Sequence, residues 1–449
     1  MKIIIAGAGE VGFHLAKLLS YESQEITLID TKKDSLLYAD THLDIKVVKG
    51  DATSISILKD SRVSESDLVI AVTSSETTNI TVCVLAKQLG AKQTIARISN
   101  TEFISHKEEV GFTKFGIDEL ISPESIAASE IRLSLDQSAF NDSYAFDDGA
   151  LTMVGLSLPR TANFVGKTVK EAAQIFPEIH FVPIAIQRFG TQYTIIPRGD
   201  TQFREGDNVV FITSEGGAEE LCSITGKTNT EIKNVMILGG SKIGYKTARD
   251  LCQSKFKIKL IEKDKERAFE LADELPKVLV INSDGRNVDL LEEENIKDMD
   301  AFIAVTGNSE TNIMSCLVAK SKNVKKTIAL VENMDYFELS QSIGIDTLIN
   351  KKLLAANNIF RYVRKGEVVA MTKLNNMNAE LLEFKVKSSS LICNKQIKDV
   401  DFPRSAIIGG VIRQDKGYTA LGGFKVQEGD RVVVCGLPRS IKQVEKLFL

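Results

Sequence analysis

The sequence predicts an α/β protein: two doubly wound parallel-sheet domains, each followed by a small α+β lobe. Three observations carry this expectation. The chain repeats itself, short apolar runs alternate with amphipathic helical stretches, and a glycine-rich turn follows the first run of each repeat.

The repeat is plain on self-comparison. Residues 67–100, DLVIAVTSSETTNITVCVLAKQLGAKQTIARISN, match residues 300–333, DAFIAVTGNSETNIMSCLVAKSKNVKKTIALVEN, at 16 of 34 positions with a constant offset of 233. Chance would supply about two at roughly even residue frequencies. At an offset of 232, Gly7 meets Gly239, Gly12 meets Gly244 and Asp30 meets Glu262. FGIDELI (115–121) resembles IGIDTLI (343–349), and REGDNVVFIT (204–213) resembles QEGDRVVVCG (427–436). The 449 residues are one unit of about 225 written twice, too long for a solenoid repeat.

Within each unit the elements follow in order. KIIIAG, EITLID, IKVVKG, DLVIAVT and QTIARI are apolar runs of the buried, parallel-strand type. Between the first two, Val11, Leu15, Leu18 and Leu19 form the stripe of an amphipathic helix. NVMILG, IKLIE, KVLVIN, AFIAVT and KTIALV repeat the order. Such alternation predicts a doubly wound sheet with right-handed crossovers. Ser122-Pro123-Glu124 then reads as a helix start, with Ser as N-cap, Pro in the first turn and an acid near the positive end. Asn350 takes the matching cap position. Short strands follow: LTMVGLSL, HFVPIAIQR, QYTIIP and NVVFIT in one unit, and EFKVKS, AIIGGVIRQ, GYTALGG and RVVVCGL in the other. The polar segment SITGKTNTEIK (223–233) reads as the linker between the halves. The expected domains are 1–139, 140–225, 232–366 and 367–449.

Composition removes several functions. A net charge of −4 gives no electrostatic reason to expect nucleic-acid binding. With no Trp and 6% aromatics, a base-stacking surface is not expected. No apolar window reaches about 18 residues, so no membrane span is expected. MKIIIAGAGE reads as a strand and a glycine turn rather than a signal peptide. The six cysteines form no CxxC pair, so reduced thiols are expected rather than zinc or a disulfide framework. Four histidines, none after His180, are thin material for proton transfer.

Gly7-Ala8-Gly9-Glu10-Val11-Gly12 stands between a strand and a helix, the context that a dinucleotide-binding, Rossmann-like turn requires. The first glycine permits the tight turn, the second lets backbone approach a pyrophosphate, and the third allows close helix–strand packing. The helix N-terminus offers free N–H groups to phosphates. Asp30, at the end of the second strand, is placed to accept from ribose hydroxyls and to repel a 2′-phosphate, favouring NAD over NADP. Asp51 and Ala52, on the same sheet edge, read either as small residues facing the nucleotide or as a simple turn. Thr73 ends the fourth strand where backbone and hydroxyl meet a ligand. Arg97 ends the fifth, where it pairs either with phosphate or with an acid of the protein. In the second half Gly239-Gly240-Ser241-Lys242-Ile243-Gly244 keeps the outer glycines but carries Ser241 in the middle. Glu262 replaces Asp30, Asp284 aligns with Asp51, and Leu330 stands in place of Arg97. This predicts a second nucleotide-like pocket that is weaker, differently liganded or purely structural.

These features together resemble the TrkA family, cytoplasmic regulatory subunits of Trk-type potassium uptake systems, over the full length. GAGEVG with LID, GDAT, AVTSSETTN, the EGD turns and the tandem order carry the resemblance. It implies four modules: an RCK N-lobe and C-lobe, twice over, RCK meaning regulator of potassium conductance. It implies that Gly7, Ala8, Gly9, Glu10 and Val11 hold a pyrophosphate and Asp30 a ribose, with Asp51, Thr73 and Arg97 lining the rest. Gly239, Gly240, Ser241, Lys242, Ile243 and Glu262 would form the second site. NAD(H), with ATP or ADP at one or both sites, is the implied cofactor. The implied partner is a membrane-embedded potassium-translocating subunit beneath which the chains assemble, as a tetrameric ring, on the inner face of the plasma membrane. No catalytic or metal-binding residue is expected. An NAD-dependent oxidoreductase shares the glycine loop but needs a substrate domain with convergent acid and base. A regulator of a different potassium or proton transporter is the other alternative.

Overall fold

The computed structural model describes all residues except 21–23, 101, 141, 176–179, 189–190, 192, 227–230, 334–335, 337–338, 341–342, 364–367 and 375–376. The first sheet comprises β1 (Lys2–Ala6), β2 (Glu25–Asp30), β3 (Lys46–Lys49), β4 (Leu68–Ala71), β5 (Gln93–Arg97) and β6 (Glu119–Ile121). Its order is β3-β2-β1-β4-β5-β6, all parallel. Ile3, Ile5, Leu28 and Ile70 are fully buried, as runs covered on both faces must be. The helix Glu10–Ser20 buries Val11, Leu15 and Leu19 against the sheet. After β6, Ser122 caps the helix Pro123–Asp136, its Oγ accepting from the Ser125 N–H at 3.2 Å.

The first small lobe is an antiparallel sheet of β7 (Asp142–Phe146), β8 (Leu151–Ser157), β9 (Phe181–Gln187), β10 (Thr194–Ile195) and β11 (Asn208–Thr213), in the order β10-β9-β11-β8-β7. The sequence reading has no counterpart for β7. Its residues DSYAF are mixed in polarity and form an edge strand, where alternation is weak. The linker reading also needs adjustment. Residues 223–225 belong to the helix Gly217–Thr225, Ile232 is buried, and 227–230 lie outside the described residues.

The second parallel sheet repeats the first: β12 (Asn234–Leu238), β13 (Lys257–Glu262), β14 (Leu279–Asn282), β15 (Ala301–Ala304), β16 (Lys326–Leu330) and β17 (Thr347–Ile349), in the order β14-β13-β12-β15-β16-β17. Asn350 caps the helix Lys351–Phe360, accepting from the N–H groups of Lys352 and Leu353 at 3.0 and 3.1 Å. The last lobe has β18 (Val368–Lys373), β19 (Glu380–Lys385), β20 (Ala406–Arg413), β21 (Lys416–Thr419) and β22 (Arg431–Gly436), in the order β18-β19-β22-β20-β21. That is the connectivity of the first lobe, strand for strand; β18, the partner of β7, is likewise absent from the sequence reading.

The chain divides into two compact units. One is Met1–Ala127 with Asn350–Val363; the other is Ala128–Ile349 with Arg364–Leu449. The first parallel sheet thus takes in a helix from the second half of the sequence. Within the other unit the two small lobes share a core of Ile184, Ile212, Leu381, Val433 and Cys435. Gly417 is required there, because a Cβ would stand 1.9 Å from the Ala150 carbonyl oxygen. The EGD turns gain a physical reason. Asp430 is buried and takes two 2.7 Å bonds from Arg413, and the buried Asp207 accepts a hydrogen bond from Arg188 Nη1, whose Nη2 donates to the Gln202 carbonyl. A buried carboxylate left without its arginine would cost several kcal/mol, about 3–5.

Candidate functional site

In a doubly wound sheet the crevice lies outside the carboxyl ends of the strands, where the strand order reverses. β1 and β4 flank that point in the first sheet. A cleft of about 500 Å³ opens there. The three glycines have three separate reasons. Gly7 has φ +110°, and a Cβ on it would stand 2.9 Å from the Thr73 amide nitrogen. A Cβ on Gly12 would stand 1.8 Å from the Gly7 carbonyl oxygen. Gly9 has nothing within 4 Å of a Cβ, so its face is open to a ligand.

Asp30 fastens the loop. Its Oδ2 accepts from the Ala8 N–H at 2.6 Å and its Oδ1 from the Lys32 N–H at 2.8 Å. Each oxygen retains acceptor capacity for a hydroxyl. Asp51 accepts from the Thr53 N–H and hydroxyl, both at 2.8 Å, and these bonds hold its carboxyl below the usual range. Ala52 is buried beside it.

Thr73 is held by Asn79, which sequence reasoning overlooked. The Asn79 Oδ1 accepts from the Thr73 N–H at 2.9 Å and its hydroxyl at 2.6 Å. Its Nδ2 donates to the carbonyls of Thr73 and Arg97 at 3.2 and 2.8 Å. One buried amide therefore ties the ends of β4 and β5 together at the cleft. The Thr73 hydroxyl faces inward to this amide rather than standing free for a ligand. Arg97 takes the partner within the protein: its Nη2 lies 3.3 Å from Glu124 Oε1, and the side chain also borders the cleft. Gly7, Gly9, Glu10 and Val11 line the cleft, as do Asp30, Asp51, Ala52 and Thr73. Ala8 and Gly12 stand behind it, one offering its N–H to Asp30 and the other packing on Gly7.

The second parallel sheet has its own cleft, about 800 Å³. Glu262 braces the loop as Asp30 does, accepting from the N–H groups of Gly240 and Asp264 at 2.7 and 2.8 Å. Asn312 repeats Asn79, bonding Thr306 and the Leu330 carbonyl. The loop itself differs. The Ser241 hydroxyl donates to the Val305 carbonyl at 2.7 Å and accepts from the Gly244 N–H at 3.3 Å, turning inward and occupying a helix N–H. Arg267 Nε donates to the Gly240 carbonyl at 3.2 Å. Arg286 chelates Asp284 and lowers its carboxyl to about 2. Gly239, Gly240, Ser241, Lys242 and Glu262 line this cleft, whereas Ile243 and Leu330 are buried in the core.

Among the described residues, no three His, Cys, Asp or Glu stand together as metal ligands. His180 is exposed. No disulfide joins the six cysteines, all of them among the described residues, and burial pushes the Cys83 thiol up to about 12. No helix among the described residues is long and apolar enough to cross a membrane.

Residues 3–123 and 235–351 match the TrkA-N domain, and 153–226 and 381–449 match the TrkA-C domain. The chain belongs to the TrkA family. It is 32% identical over 456 residues, covering all of both chains, to "Trk system potassium uptake protein TrkA homolog 2" of Methanosarcina mazei. It is 32% identical over 453 residues to "Trk system potassium uptake protein TrkA" of Halomonas elongata, covering 100% of this chain and 98% of that one. Among solved structures, "GsuK channel bound to NAD" aligns with a TM-score of 0.63 at 17% identity, covering 100% of this chain and 78% of that one. "Crystal Structure of the GsuK RCK domain" aligns at 0.61 and 17%, covering 100% and 94%. The fold of this TrkA family member is therefore that of a tandem RCK protein.

Proposed function

We propose that this chain is a nucleotide-binding regulatory subunit of a potassium uptake transporter, controlling ion flux through a separate membrane-embedded subunit. The carrying observation is the Asp30-braced glycine loop at the strand-order reversal of a TrkA family member. The ligand of the first cleft is NAD(H), with ATP or ADP at one or both clefts. Gly9 gives backbone access to the pyrophosphate, the helix Glu10–Ser20 offers its N-terminus, and Asp30 takes the ribose. The second cleft binds more weakly, because Ser241 turns one helix N–H inward.

The protein works without catalysis. A nucleotide does work by binding one arrangement of the assembly better than another. The modules are 1–139, 140–225, 232–366 and 367–449. Four chains form a cytoplasmic ring, peripheral on the membrane. The family's named role in potassium uptake favours this over an oxidoreductase, which would need a convergent acid and base beside the cleft.

Deletion and complementation test the reading. Cells lacking the chain should lose nucleotide-sensitive potassium uptake and regain it on re-expression, and the chain should co-purify with a polytopic potassium transporter. Unchanged uptake and no such partner would sink the proposal.

A further inference from the structure

Among the described residues, the first cleft has a feature with no counterpart in the second. Its wall includes Lys351 and Lys352, carried by the helix Lys351–Phe360 from the other half of the sequence. This helix packs on the helix Glu10–Ser20 and belongs to the compact unit of the first sheet. Lys352 is largely covered, with 15% of its side chain exposed, and its Nζ lies 2.9 Å from Glu10 Oε2. Glu10 is the first residue of the helix whose N-terminus faces the cleft.

Charge makes the two lysines consequential. From its own half the cleft draws Lys32 and Arg97 as cations, against Glu10, Asp30 and Asp51. Arg97 is already shared with Glu124. A wall with more carboxylates than cations repels a phosphate chain, and a helix N-terminus supplies only about half a charge in compensation. Lys351 and Lys352 reverse that balance. The second cleft needs no such loan, since Lys242, Lys263, Arg267 and Arg286 all come from its own half. The positions matching Lys351 and Lys352 in the first half are Pro123 and Glu124, so the basic pair is peculiar to one repeat.

We infer that Lys351 and Lys352 complete the phosphate-binding wall of the first cleft, making it a composite site read by both halves of the chain. The inference rests on the nucleotide reading of that cleft. The ligand class is a nucleotide with a pyrophosphate or longer phosphate chain. Glu10 competes with a phosphate for the Lys352 ammonium group, which lies 2.9 Å from its carboxylate and can turn its donors to either anion. A nucleotide then bridges the glycine loop and a helix of the other half.

Calorimetric titration of the full chain with NAD and ADP tests this. The double variant Lys351→Gln, Lys352→Gln should lose affinity roughly tenfold or more and show a weaker salt dependence. Lys352→Arg should keep both. Glu10→Gln, a change on an exposed side chain, should tighten binding several-fold by releasing Lys352. Affinity within twofold of the parent in the double variant, while Asp30→Ala loses binding, would overturn the inference and leave the nucleotide reading standing. A parent chain that binds neither nucleotide would overturn both. Should the double variant fail to fold, Glu10→Gln decides alone: weaker or unchanged binding counts against the inference.

Discussion

The two glycine loops are braced alike and finished differently. Asp30 and Glu262 each take two backbone N–H groups, and Asn79 and Asn312 each tie two strand ends. Beyond that frame the first cleft has an open Gly9 and borrowed lysines. The second has an inward Ser241 and arginines bonded within the protein. Duplication thus preserved the scaffold of the crevice and let its ligand-facing groups diverge. The shared bonds build the crevice, with Asp30 and Glu262 also lining it, and the differing residues give each cleft its own surface.

Breaking the shared frame should have the largest effects. Gly12→Ala puts a Cβ on the Gly7 carbonyl and should cost about 3 kcal/mol and destroy the first cleft. Gly9→Ala, facing open space, should leave the melting temperature unchanged while weakening nucleotide binding. Equal effects on melting would refute the separate roles given to these glycines. Asn79→Ala and Asn312→Ala should each destabilise by about 2 kcal/mol, since each leaves buried backbone groups unpaired. Chemical denaturation measures this, and a large asymmetry between the two variants would contradict a common scaffold role.

Changes to ligand-facing groups sharpen the contrast. Asp30→Ala should weaken nucleotide binding about tenfold with folding intact, and Glu262→Ala should do less. A larger loss at Glu262 would invert the ranking of the clefts. The smallest effect concerns Asp284. Arg286 holds its carboxyl at about 2, so their pairing contributes stability above the usual carboxylate range and fades as pH falls toward that value. The pair is exposed, so the contribution is small. Carboxyl titration by NMR should show Asp284 returning toward its ordinary range in Arg286→Ala.

Much of this was legible in the sequence. Strand–helix alternation gives a doubly wound sheet, and that order places a glycine loop at the reversal point. The duplicated Thr73 and Asn79 spacing, matched by Thr306 and Asn312, contained the signal for the positioning amide. It was hidden because an asparagine in a polar helical run reads as surface. The edge strands β7 and β18 escaped because half-solvated edges lack a clear period. Lys351 and Lys352 were illegible for another reason: their helix joins the compact unit of a sheet more than two hundred residues earlier in the chain, and no local pattern encodes such a contact.

The role proposed for the Asp30-braced loop of the first cleft, a nucleotide site, can be measured on the intact chain. Thermal melting of the parent and Asp30→Ala across a series of NAD, NADH, ADP and ATP concentrations tests it most directly. The parent should be stabilised progressively, by about 2.7 kcal/mol at a hundredfold excess over Kd, and Asp30→Ala should lose most of that gain. No stabilisation by any of the four, or the same stabilisation in both proteins, would contradict the account.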